Sequence, residues 1–406
     1  MKYIVLVPDG MSDLPVAELG ERTPLEVAAT PAMDWLARRG ECGRVQTVPP
    51  GFEPGSDVAA LSILGYDPRT CYTGRSPLEA ASMGIELGPD DVAFRCNLVT
   101  LARRHGDLAM ADYSGGHISS KEAAELMKTV DEHLGGAELA FYPGKMYRHL
   151  MVWHGGPEGC RTTPPHDILD QPIAGYLPDG AGRDRLRHLI ARSADLLSAH
   201  PVNARRQAQG KAPANSIWLW GEGKAPHLQP FAQKYGLRGG VISAVDLVLG
   251  IGRHLGLRII DVPGATGFTD TNYEGKAEYA LKALEELDFV YVHVEATDEA
   301  GHMGDLEGKI SAIEDFDRRV VQRLLEGLPR LGPHRILLLP DHATPVRLRT
   351  HCSDPVPALI YTSTHEVAGM PAYDEHLLEG ECPLAMTAGH ELMAHFLRLP
   401  HGAGVR

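Results

Sequence analysis

The chain has 406 residues, 43% of them hydrophobic and 6% aromatic, and a formal net charge of −14. This length holds two domains, or one large domain carrying an insertion, and the composition is that of an ordinary globular protein. The acidic balance speaks against nucleic acid as a partner, no apolar run approaches bilayer-spanning length, and six scattered cysteines (Cys42, Cys71, Cys96, Cys160, Cys352, Cys382) without a C-x-x-C pair point to reduced thiols and a cytoplasmic location.

The N-terminus, M-K-Y-I-V-L-V-P, is too short and too strand-like for a signal peptide and reads as the first core strand. The apolar run Tyr3–Val7 leads to Asp9 in V-P-D-G. Taken alone, an Asp there is a turn or cap residue. Next comes P-P-G-F-E-P-G-S-D-V-A-A-L-S-I-L-G, a Gly/Pro loop opening a helix. Ser56 falls at or near its N-cap, residues 58–64 form its apolar face and Gly65 ends it. A helix start favours a negative oxygen and offers N–H groups to a phosphate, so Ser56 is the nucleophile candidate. Its simpler reading is a plain N-cap.

The section from about Cys71 to Arg253 has a different texture, with dense Gly/Pro punctuation at 155–165 and 172–182. It reads as an inserted domain, residues 71–253, between outer pieces 1–70 and 254–406 that form a catalytic core. Its anion-binding candidates are His117 in Y-S-G-G-H-I-S-S, Arg148 in F-Y-P-G-K-M-Y-R-H and Arg206 in N-A-R-R-Q-A-Q-G-K. Arg can hold a carboxylate or phosphate through two parallel hydrogen bonds, although a solvated surface charge is the default for any single one. No Walker motif occurs, and no G-x-G-x-x-G follows a strand, so nucleotide dependence has no support.

The apolar runs Phe289–Val294 and Ile336–Leu339, like the first, suit parallel strands buried on both faces. Each precedes an acidic residue, Asp298 and Asp341 respectively. In an open α/β sheet, ligands bind beyond the carboxyl ends of the strands, so Asp9, Asp298 and Asp341 can converge. His302 follows Asp298 by four residues, one helical turn or a tight turn at Gly301; the competing reading is an N-cap Asp with an unrelated His. His342 adjoins Asp341, and His351 lies nine residues further on. A buried Asp–His hydrogen-bonded pair is the alternative for 341–342. Mixed Asp/His ligation suits Mn²⁺, Zn²⁺ or Fe²⁺, and the lack of Cys disfavours a structural zinc site. The last residues, 400–406, read as frayed.

Together V-P-D-G, G-S-D-V-A, D-E-A-G-H, P-D-H and the following His resemble the alkaline phosphatase superfamily. Through G-R-S-P-L-E-A-A-S-M-G-I, F-R-C-N-L-V-T, N-S-I-W-L-W-G and V-P-G-A-T-G-F-T-D-T-N-Y-E-G-K the chain is similar, nearly end to end, to the archaeal-type branch of cofactor-independent phosphoglycerate mutases. The resemblance implies an α/β alkaline-phosphatase-like core with a largely parallel sheet sandwiched by helices, plus an inserted α/β (α+β) lid domain. It implies a serine nucleophile at Ser56 and two divalent ions, Mn²⁺ first, with Zn²⁺, Co²⁺ or Mg²⁺ as alternatives, and no 2,3-bisphosphoglycerate. One ion falls to Asp341, His342 and Ser56, the other to Asp9, Asp298, His302 and His351, with a carboxylate shared or swapped. His117, Arg148, Arg206 and Lys276 are the implied contacts of a small phosphorylated substrate.

The chain departs from the larger bacterial mutases, which carry G-N-S-E-V-G-H where it has Gly55-Ser56-Asp57-Val58-Ala59. A sulfatase would need C/S-x-P-x-R, and Cys71-Tyr72-Thr73-Gly74-Arg75 has Thr at the proline position. The expected activity is interconversion of 2- and 3-phosphoglycerate through a phosphoserine. A homoserine kinase-like phosphotransferase or a metal-dependent phosphohydrolase on the same core is the alternative.

Overall fold

The structure is a computed structural model that describes residues 1–380 and 382–398. The stretch expected to fray, 400–406, lies outside the described residues. The chain divides into two compact units, Met1–Tyr72 with Leu228–Arg406, and Thr73–His227. In chain order, the first unit opens with β1 (Lys2–Pro8) and β2 (Glu41–Val45). The second holds β3 (Val92–Arg104), β4 (Asp107–Asp112), β5 (Leu139–Tyr142), β6 (Arg148–Trp153), β7 (Cys160–Arg161), β8 (Asp179–Gly180) and β9 (Ser216–Gly223). The chain then returns with β10 (Gly239–Ile242), β11 (Arg258–Ile259), β12 (Phe289–Val294), β13 (His334–Leu338), β14 (Val356–Thr362) and β15 (Leu384–Met386).

The first unit is built on one eight-stranded sheet in the order β11-β10-β12-β1-β13-β14-β2-β15. Strands β1, β12 and β13 lie side by side and parallel, with Tyr3 opposite both Phe289 and Arg335. Apart from Lys2, His293, His334 and Arg335 their residues are apolar, and all but Lys2 are buried, as in strands covered on both faces. The register brings Pro8 opposite Val294 and Leu6 opposite Leu338. The residues that follow all three strands therefore emerge at one sheet edge. Only β14 runs against its neighbours, pairing antiparallel with β13 and β2. The largely parallel α/β sheet read from the sequence is what forms.

The second unit has its own core. Strand β3 is its spine, pairing antiparallel with β4, β6 and β9. Helix Ser120–Leu134 buries Ala123, Leu126, Met127 and Val130, the i, i+3, i+4, i+7 positions of one face. Ser119 and Glu122 close its first turn in a reciprocal capping box. Those apolar side chains join Phe94, Leu98, Ile217 and Trp218 in a cluster that includes no residue of the first unit.

The return to the first unit falls at 227/228 rather than 253/254. The physical reason is β10. Its four residues pair in parallel with β12 and so belong to the main sheet, as does the helix Asp246–His254 that follows.

Candidate metal centre

The site grows from the carboxyl edge of β12, β1 and β13. After β1, the Asp9 N–H donates to Val294 O at 2.9 Å and Thr297 Oγ1 donates to Asp9 O, which fixes the carboxylate's backbone. Gly10 follows with φ +60°, and its N–H donates to Asp341 Oδ1 at 3.1 Å. A Cβ at Gly10 would run into the Asp298 carboxylate and Thr344 Oγ1. Glycine is needed there for the turn and for the close approach of three loops.

After β12, the helix Ala296–Met303 carries Asp298 and His302 on one face, with Asp298 Oδ2 3.3 Å from His302 Nε2. Gly301 is helical, not a turn, and faces Thr344. After β13, His342 is fully buried, and its Nε2 lies 3.4 Å from Asp341 Oδ2 and 3.5 Å from Asp9 Oδ1. His351 returns to this edge. Its Nε2 lies 2.9 Å from His302 Nε2 and 3.4 Å from Asp298 Oδ1, and its Nδ1 is 3.1 Å from Pro54 O.

Ser56 is the first residue of helix Ser56–Ile63, after the N-cap Gly55, and makes no capping bond. Its Oγ instead lies 3.3 Å from Asp9 Oδ2 and 3.3 Å from His342 Nε2. A plain N-cap role is thereby displaced: the hydroxyl points into the Asp/His cluster.

Two sets of donors are close enough to share an ion: Asp298, His342 and His351, and Asp9, His293 and Asp341. Asp9 thus falls with Asp341 and within reach of Ser56, while His342 stands between the sets, grouped with Asp298 and His351 and also 3.4 Å from Asp341 Oδ2. His293, Glu295, Lys309 and Thr344 were not read from the sequence. A signal for the first two was present: H-V-E at the end of an apolar strand puts His293 and Glu295 on one face.

The electrostatics fit a cation. Burial and the neighbouring carboxylates of Asp341 and Asp298 push Asp9 far above the ordinary carboxyl range. Burial acts on Asp341 in the same sense, but the imidazoles of His342 and His293 outweigh it and hold this carboxyl low. Asp298 is likewise held low against its burial by hydrogen bonds from His302 and His351. Carboxylates this close disfavour each other's charged form, and a positive neighbour would relieve that repulsion. Two buried atoms, Asp341 Oδ2 and His293 Nε2, have no well-formed hydrogen bond. Buried polar atoms are rarely left so, and here both aim into the Asp/His cluster. Carboxylate, imidazole and hydroxyl donors together suit Mn²⁺, Zn²⁺ and related divalent ions.

The remaining candidates are placed as follows. Lys276 is fully buried in the first unit, where Nζ donates to His293 O at 2.8 Å and Glu295 Oε2 at 2.9 Å; it faces the back of the site and not an open anion pocket. In the second unit, His117 adopts φ +48° at the end of a loop in which Asp112 accepts from the N–H groups of Ser114 and Gly116. Arg206 is buried behind that loop. Its Nη2 donates to Gly115 O and Gly116 O, Nη1 to Glu122 Oε2 and Nε to Ala212 O, so its fork is fully engaged by the protein. Arg148 is exposed at the start of β6, with its guanidinium 6.0 Å from the Tyr147 ring centre.

A serine hydroxyl on a helix start, turned into Asp and His donors on the carboxyl edge of a parallel sheet, defines the class: an α/β enzyme built for divalent-metal chemistry. A family model described as 2,3-bisphosphoglycerate-independent phosphoglycerate mutase matches residues 37–203. A relative from Geobacter sulfurreducens described as a probable 2,3-bisphosphoglycerate-independent phosphoglycerate mutase is 58% identical, covering 92% of this chain and 94% of its own. A mutase of the same description from Methanosarcina mazei is 53% identical over 92% of this chain and 94% of its own. Among solved structures, the PH0037 protein from Pyrococcus horikoshii superposes with a TM-score of 0.79 at 29% identity, covering 99% of both chains. The cofactor-independent phosphoglycerate mutase from Thermoplasma acidophilum gives a TM-score of 0.67 at 28% identity, covering 98% of this chain and 99% of its own. The chain belongs to the 2,3-bisphosphoglycerate-independent phosphoglycerate mutase family.

Proposed function

We propose that this protein interconverts 2-phosphoglycerate and 3-phosphoglycerate through a phosphoserine at Ser56. The observation that carries the reading is the Ser56 hydroxyl, unused as a cap and 3.3 Å from both Asp9 Oδ2 and His342 Nε2. Asp9, Ser56, Asp341 and His342 would hold one divalent ion, and Asp298, His302 and His351 the other; Mn²⁺ is our reading of the metal. Bound there, such ions lower the pKa of a coordinated hydroxyl and offset charge on phosphoryl oxygens.

The residues divide the remaining work. Asp9 and His342 hold Ser56 Oγ in place, facing the phosphorus it attacks. The start of helix Ser56–Ile63 offers N–H groups to the phosphoryl oxygens. Residues 73–227 are assigned the part of a substrate-binding lid, with His117 and Arg148 as the contacts for phosphate and carboxylate. Arg206 acts through the His117 loop it holds. The reduced thiols fit a cytoplasmic enzyme.

The test is to incubate the Mn²⁺-loaded protein with 3-phosphoglycerate, without 2,3-bisphosphoglycerate, and follow 2-phosphoglycerate and inorganic phosphate. Product without phosphate release is the expected result. Absence of product alongside ATP-dependent phosphorylation of homoserine would overturn the mutase reading. Ser56→Ala should lose phosphoenzyme formation and turnover, with the fold intact by circular dichroism.

A further inference from the structure

We propose that His293 is itself a ligand of the metal centre, completing a set with Asp9 and Asp341, and that Glu295 and Lys276 lock it in the ligating tautomer. This rests on the two-metal reading above and extends it by one residue.

His293 sits near the end of β12, fully buried. Its Nδ1 is 3.1 Å from Glu295 Oε1 and 3.2 Å from Ser243 Oγ. The Ser243 hydroxyl already donates to that same Glu295 oxygen at 3.0 Å. A carboxylate only accepts, so Nδ1 must carry the hydrogen. The Nε2 atom then turns into the site, 3.3 Å from Asp9 Oδ2 and 3.9 Å from Asp341 Oδ2, with no well-formed hydrogen bond to either. Two ligand atoms on one ion, each about 2.1 Å from it, lie roughly 3–4 Å apart. Both distances from His293 Nε2 have that spacing, and ligand atoms of all three residues lie within 4.8 Å of one another. Asp341 Oδ2, the other unpartnered buried atom, belongs to the same set.

Behind the imidazole the support is continuous. Glu295 Oε1 also accepts from Ala244 N–H at 2.9 Å, and Oε2 accepts from Lys276 Nζ at 2.9 Å. Lys276 Nζ donates in addition to the His293 carbonyl at 2.8 Å. A carboxylate behind a histidine is the arrangement that fixes tautomer and ring orientation in metal-ligating imidazoles. A buried lysine then balances the carboxylate, so the assembly brings no net negative charge to a site already rich in Asp. The rival role for His293 is an imidazolium that donates from Nε2 to Asp9 and never meets metal.

Zinc and histidine ¹⁵N NMR separate the two. With uniformly ¹⁵N-histidine-labelled full-length protein, Zn²⁺ should move four imidazole nitrogens to the metal-bound range: those of His293, His302, His342 and His351. The His293 signal is assigned from its loss in His293→Gln. In calorimetric Zn²⁺ titrations that variant should lose at least tenfold in affinity at one of two sites while its metal-free melting temperature stays close to the parent's. Three shifted imidazoles, with a fourth still carrying hydrogen on both nitrogens, would overturn the assignment; so would unchanged affinity in His293→Gln. If that variant does not fold, the count of shifted signals in the parent protein decides. Failure of the parent to bind zinc at all would remove the two-metal reading itself, whereas two bound ions with three shifted imidazoles would remove only His293.

Discussion

Lys309 shows what a single buried charge does in this fold. Its Nζ is fully buried, 2.7 Å from Asp13 Oδ2 and 2.8 Å from Thr344 O, so it ties the loop after β1 to the loop after β13. Burial pulls its pKa down, and Asp13 opposes the shift. Replacing one partner of such a pair leaves the other charge uncompensated, which costs roughly 3–5 kcal/mol. Lys309→Met should therefore lower the metal-free protein's stability by about that amount in urea, and adding Asp13→Asn should restore part of it. Equal loss in the single and double variants would contradict this. Arg206 makes a different prediction. With four protein acceptors on one guanidinium, Arg206→Lys keeps the charge but cannot match the fork. It should raise the KM for phosphoglycerate about tenfold, the effect of one well-placed hydrogen bond or so. Combined with His117→Ala it should do little more than His117→Ala alone, since both act through one loop. Additive losses in the kinetics would give Arg206 a separate role. At this scale the sequence was legible where chemistry is concentrated past strand ends: Asp9, Ser56, Asp298, His302, Asp341, His342 and His351 all meet. It was least legible for charges that fold inward. Lys276 was implied as a substrate contact, and only the tertiary structure brings it to Glu295 instead. His293 hides inside an apolar strand, where a lone histidine reads as core.

Elements matter here through how closely they approach. The helix Ala296–Met303 can lie against the 341–344 loop because Gly301 has no side chain; a Cβ there would collide with the Thr344 backbone oxygen. The sequence left open a helical turn or a tight turn at Gly301, and the helix is what forms. The service of Gly301 is to let Asp298 and His302, on either side of it, reach His342 and His351. Gly301→Ala should push the helix off the loop, with an overpacking loss of about 1–3 kcal/mol. Because this helix carries Asp298 and His302, proposed ligands, metal affinity should fall as well. Thermal melts with and without Mn²⁺ test both parts: the metal-induced rise in melting temperature should shrink, and a full rise would show that the helix can yield without disturbing the ligands. The strand-end logic of β1, β12 and β13 was legible because buried parallel strands are apolar on both faces, a pattern that survives without knowledge of neighbours. Strands β10 and β11 were not. Four and two residues long, they carry no pattern of their own and join the sheet only by pairing on the β12 side.

At the scale of the whole molecule, the second unit has the features of an insertion that folds on its own terms. Its two ends are joined: Thr73 Oγ1 donates to Lys224 O at 2.6 Å, so the chain enters and leaves at one place. Its core contains a titratable group that the first unit's site does not depend on. His149 on β6 is buried, accepts from Gly144 N–H at 3.0 Å through Nδ1 and has no partner for Nε2. Burial pushes its pKa down to about 3 from the usual 6.5. The sign follows from proton counting. Above pH 6.5 the imidazole is neutral in folded and unfolded chains alike, and its contribution to stability is constant. Below 6.5 the unfolded chain binds a proton that the folded unit refuses until about pH 3, so stability falls as pH falls through that window. The slope is about 1.4 kcal/mol per pH unit, and the total approaches roughly 5 kcal/mol at the lower end. His149→Asn keeps an acceptor for Gly144 N–H and removes the proton site. Three of the four tryptophans, Trp153, Trp218 and Trp220, lie in the second unit, so intrinsic fluorescence reports mainly on it. Acid titration of the parent should show a fluorescence-detected transition whose midpoint moves to lower pH in His149→Asn, with an unfolding free energy in urea that is flatter between pH 6.5 and 4. Coincident acid curves for the two proteins would mean that His149 is protonated without unfolding, and that some other group sets the acid limit of this unit.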